Sequence, residues 1–89
     1  MATDWQYCLA PSHLENKIYI SKRFPVHGAL SDADSAFEQM LEQAKLRHDD
    51  VQCPRADDER SIVVMQQYAI GFNRKFGNTI VHLPFEKAR

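Results

Sequence analysis

Two cysteines, Cys8 and Cys53, and four histidines, His13, His27, His48 and His82, carry most of the reactive chemistry available to this 89-residue chain. A thiolate beside an imidazole makes a nucleophile and its base, so either cysteine with a nearby histidine defines one reading, a thiol-dependent enzyme. The spacings give that reading little support. No two histidines stand at i, i+4, the cysteines lack any C-x-x-C spacing, and neither set builds a metal signature. His13, His27 and His48 fall in stretches read as loops and are expected in solvent. His82 alternates with Ile80 on a strand and reads as a surface residue. No serine stands in a G-x-S-x-G elbow, and Gly28, Gly71 and Gly77 form no phosphate-cradling loop. The expectation is no catalytic residue, no metal and no cofactor.

The charged clusters are read the same way. Asp57-Asp58-Glu59 suits the positively polarised start of a helix better than a cation site. Lys22-Arg23 and Arg74-Lys75 are too short for a nucleic-acid stripe. The net charge is −1, from 11 basic and 12 acidic residues, which gives no electrostatic reason to expect nucleic acid or an anionic membrane. No apolar run approaches a membrane span. The opening Met1-Ala2-Thr3-Asp4 has neither a basic nor an apolar signal region, which fits a cytosolic protein or a mature domain with a replacement start methionine.

One domain, residues 1–89, is expected at this length. The longest element is a helix within Asp57 to Gly77, with Ile62, Met65, Ala69, Phe72 and Phe76 on one face at spacings of three and four. Tyr68 sits beside that stripe, which the rest of the chain is expected to cover. Gly71 inside the helix suggests a close packing contact, and Gly77-Asn78 a left-handed stop. An earlier helix opens at Ser31, with Ser31 and Asp34 fitting a capping box, and buries Ala33, Phe37, Met40, Leu41 and Ala44. Trp5–Ala10 and Lys17–Ser21 read as a hairpin, and Thr79–Leu83 as a last strand limited by Pro84. The order ββααβ implies an α+β fold in two layers: a small, mainly antiparallel three-stranded sheet with both helices on one face.

That packing leaves the other sheet face open. Strand alternation puts Trp5 and Tyr7 on one side and Cys8 on the other. If Cys8 turns inward to Cys53, then Trp5 and Tyr7 turn outward, and Tyr19 joins them because Ile18 and Ile20 make the better core pair. The expected outcome is an exposed aromatic platform for a protein partner or for self-association.

Several short motifs also resemble a group of short uncharacterised bacterial exported proteins. They are Tyr7-Cys8-Leu9-Ala10, Lys17-Ile18-Tyr19-Ile20-Ser21 with Phe24, Ala36-Phe37 with Leu41, Cys53-Pro54, the acidic run Asp57 to Arg60, and Gly77 to Val81. Those proteins tend to end in tryptophan after the last strand, where this chain has Phe85. From residues alone, Cys8 and Cys53 are as compatible with two buried thiols as with a bridge. The resemblance implies a Cys8–Cys53 disulfide and an extracytoplasmic home, periplasmic or secreted, with the signal segment absent from this chain. The resulting expectation is a small non-enzymatic extracytoplasmic binding domain. The alternatives are the thiol-dependent enzyme and a cytosolic regulatory module.

Overall fold

Lys17–Ile20 is the strand on which both halves of the core rest. Its three apolar residues, Ile18, Tyr19 and Ile20, are all buried, the pattern of a strand covered on both faces. The computed structural model describes residues 3–28 and 32–86. Within them the chain runs β1 (Asp4–Gln6), β2 (Leu9–Ser12), β3 (Lys17–Ile20), β4 (Phe24–Val26), α1 (Ala33–Gln43), β5 (Arg55–Ala56), α2 (Glu59–Lys75) and β6 (Thr79–His82). The strands form two three-stranded sheets, ordered β4-β1-β5 and β2-β3-β6. β2 and β3 pair antiparallel across the turn at His13–Asn16, and β3 and β6 pair parallel, with Ile18 beside Ile80 and Tyr19 beside Val81. The fold is α+β, with the second arm of the hairpin, the last strand and both helices where the sequence places them.

The expected first strand divides in two. At the break, Ser21 reaches across: its Oγ accepts from the Cys8 amide at 2.8 Å, and its own amide donates to the Cys8 carbonyl at 2.9 Å. The segment before β5 follows the same edge, with Leu9 and Gln52 exchanging both backbone hydrogen bonds and the Tyr7 amide donating to the Pro54 carbonyl. Cys53 is thereby held beside Cys8, and the two sulfurs are bonded.

The two helices lie on opposite sides of β3, which corrects the expectation of one shared face. Ala33, Phe37 and Leu41 of α1 pack with Tyr19, Ala10, Cys8 and Phe24. Ile62 of α2 packs with Ile18, Ile20 and Tyr7. Strand alternation is the cause, since Tyr19 and its neighbours Ile18 and Ile20 point to opposite faces and all need covering. The expected opening of α1 falls partly on Ser31, which lies outside the described residues; Asp32 holds the N-cap position. α2 starts at Asp58, whose carboxylate accepts from the Ser61 amide at 2.7 Å. It stops at Gly77, which takes a positive φ of 83°, the left-handed stop read from the sequence.

Candidate functional site

α2 is rotated relative to its apolar stripe. Its buried residues are Ile62 and Gln66, with Ile70 packed at the edge of that core. Gln66 is held there by two long-range hydrogen bonds. Its Nε2 donates to the Ser21 carbonyl at 2.9 Å, and its Oε1 accepts from Arg23 Nη1 at 2.6 Å. A buried amide with both ends bonded avoids the desolvation cost of an unmade hydrogen bond. Turning Gln66 inward leaves the stripe outside: Tyr68 is 76% exposed, Phe76 70%, Phe72 53% and Met65 38%. Phe72 and Phe76 pack on each other with ring centroids 4.8 Å apart. Beside this row runs a shallow groove of ≈ 360 Å³, floored by Tyr7, Leu9 and Pro54 and walled by Met65, Tyr68 and Phe72.

The three rings expected to share an open face do not. Tyr7 is 2% exposed on the α2 side, and Tyr19 is 3% exposed on the α1 side. Trp5 alone is partly exposed, packed at the edge of the α2-side core. The reason is the two-sided core of β3, which buries Tyr7 against one face and Tyr19 on the other. The exposed aromatic surface is instead on α2. The periodicity that predicts Met65, Phe72 and Phe76 as core marks this surface instead. Only the long-range partners of Gln66 distinguish the two faces.

Cys8 and Cys53, the proposed nucleophiles of the enzyme reading, are joined to each other, and Cys8 is fully buried. The bridge implied by the exported-protein resemblance is thus present.

The histidines diverge from their expected solvated state at one position. His48 keeps only 8% of its side chain exposed. Its Nδ1 lies 2.9 Å from the Leu46 carbonyl oxygen and its Nε2 3.0 Å from Glu38 Oε2. Both neighbours are acceptors, so only the imidazolium, with a proton on each nitrogen, satisfies both. The Leu46 carbonyl, followed by the Glu38 and Glu42 carboxylates, raises the His48 pKa above its ordinary value, against the opposing effect of burial. No basic side chain stands in the last turn of α1, where a cation is favoured. Glu38, Glu42 and His48 bring their ligand atoms within 4.8 Å of one another, a grouping that no signature spacing in the sequence reveals. The contacts on both ring nitrogens tie the segment after α1 back to Glu38 on the helix. A second pair is exposed: the His13 amide donates to Asp49 Oδ2 at 2.9 Å and, with the His13 ring, lowers the Asp49 pKa.

A larger concavity than the groove beside the aromatic row is a cleft of ≈ 650 Å³ between α2 and the loops that follow β3 and β6. Trp5 forms part of its wall, and Lys22, Arg23 and His82 line it with Gln66 and Glu59.

No helix among the described residues is long and apolar enough to cross a membrane. Comparison of the chain with protein-family models, curated proteins and solved structures returned no match.

Proposed function

We propose that this is a small extracytoplasmic interaction domain that works by binding, and that its first partner is a second copy of itself docked along α2. The observation that carries this reading is the exposed row Met65–Tyr68–Phe72–Phe76. Apolar rings left in water forgo roughly 25 cal/mol per Å² of transfer free energy, and a contiguous patch of them on a small domain marks an interaction surface.

The charges flanking the row favour a second copy in antiparallel orientation. Asp57 lies just ahead of α2 and Lys75 in its last turn, so opposite charges stand at the two ends of the row. A two-fold axis across the middle of α2 sets Asp57 of each copy beside Lys75 of the other, giving two complementary contacts from one surface. The same arrangement opposes the two helix dipoles. The extracytoplasmic placement is supported by the Cys8–Cys53 bridge, since such bonds persist in oxidising compartments, and by the resemblance to exported proteins. The non-catalytic reading is supported by both sulfurs being bonded.

Charge reversal tests the orientation. Asp57→Lys or Lys75→Asp alone should weaken self-association, because each sets like charges together twice. The double variant should restore it within one chain. Association that is indifferent to the single changes, or is not recovered in the double variant, overturns the antiparallel pairing.

A further inference from the structure

The cleft beside Trp5 shares no lining residue with the exposed aromatic row of α2 and is built differently. It lies where β3 and β6, the parallel pair, deliver their carboxyl ends: Ser21, Lys22 and Arg23 follow β3, and His82, Leu83 and Pro84 end and follow β6. In open α/β sheets ligands sit at the carboxyl ends of parallel strands, where neighbouring connections diverge and leave a crevice, and this one parallel pair has the same local arrangement. Its volume of ≈ 650 Å³ is in the range of small-molecule sites.

Arg23, though exposed, is positioned rather than loose. Gln66 is 4% exposed and bonded at both ends, to the Ser21 carbonyl and to Arg23. The guanidinium of Arg23 is therefore held at the cleft by a buried amide. Among the described residues no carboxylate forms an ion pair with Arg23, and Lys22 reaches only the exposed Glu86, at 4.0 Å. Two cations and His82 thus face one carboxylate, that of Glu59, across a cleft whose apolar wall is Trp5 and Ile70. A guanidinium fixed through one nitrogen keeps its other N–H groups for a planar or tetrahedral oxyanion.

We propose that this cleft binds a small organic anion, a carboxylate or phosphate whose charge meets Arg23 and Lys22 and whose apolar body rests on Trp5 and Ile70.

The chain has a single tryptophan, so its indole N–H gives one NMR resonance that reports on the cleft. Titration with phenylacetate and with phenyl phosphate should move that resonance saturably, and benzyl alcohol, the uncharged analogue, should bind more weakly than either. If one anion binds and the other does not, the proposal stands with that headgroup chosen. Arg23→Gln should weaken binding about tenfold or more, the usual effect of losing a hydrogen bond to a charged group. The exposed Lys22→Gln should weaken it less and leave the melting temperature unchanged, which guards against an unfolded Arg23 variant. An indole resonance that no anion moves, equal binding of benzyl alcohol, or full affinity in both folded variants would overturn the proposal.

Discussion

The bond between Cys8 and Cys53 spans 45 positions of sequence and ties the β1–β2 edge to the segment that leads into α2. Closing a loop of that length removes unfolded-chain entropy worth about 4 kcal/mol. For a domain this small, that corresponds to a fall in melting temperature of roughly 15 °C or more on reduction. Calorimetry with and without a strong reductant checks it, and an unchanged transition would show that the bridge contributes nothing. His48 makes a second residue-scale prediction. Its pKa is raised in the fold, chiefly by the Leu46 carbonyl and then by Glu38 and Glu42. The stabilisation from its proton is therefore fully present below the unfolded value of about 6.5 and is lost as pH rises through the folded value. Urea midpoints should fall across that window in the wild type and not in His48→Gln. A midpoint equally steep in both would place the titration elsewhere.

At the scale of elements, α2 carries the most information, because its sequence and its packing disagree about which face is inside. Helical periodicity located the element, and the acidic run Asp57 to Glu59 and Gly77 marked its two ends, though not which carboxylate would cap it. Periodicity did not locate the core face, because Gln66 is buried through partners more than forty positions away. Two substitutions separate the faces. Ile62→Ala empties a fully buried site and should cost about 2–5 kcal/mol. Phe72→Ser, on the exposed row, should leave monomer stability within about 0.5 kcal/mol. Comparable losses at both positions would mean that Phe72 is core. Gly71 reads differently in the structure than in the sequence: a Cβ there meets nothing within 4 Å, so no close packing requires glycine. Gly71→Ala should accordingly stabilise the protein by roughly 0.5–1 kcal/mol in denaturant melts, by removing unfolded-state freedom from a helix interior. The short strands were hidden for a related reason. β4 has Pro25 at its centre and β5 is two residues long, so each exists only through its pairing with β1. The break between β1 and β2 has no local signal at all, since the Ser21 hydroxyl makes it from across the fold.

For the whole molecule, the two-sided core decides where a partner can dock. Lys17-Ile18-Tyr19-Ile20 announced a strand but not that α1 and α2 would take opposite faces of it, which depends on the path of the entire chain. Once both faces are covered, Tyr7 and Tyr19 become core and the exposed aromatic area moves to α2. The candidate surface was thus legible as a row of residues and illegible as a surface. Sedimentation equilibrium over a wide concentration range, on the wild type and on Tyr68→Ser/Phe72→Ser, tests the central claim most directly. The wild type should show a reversible monomer–dimer equilibrium, and the variant should remain a folded monomer with an unchanged far-ultraviolet spectrum. A wild type that stays monomeric at every concentration, or a variant that dimerises as well as the wild type, would contradict self-association through α2.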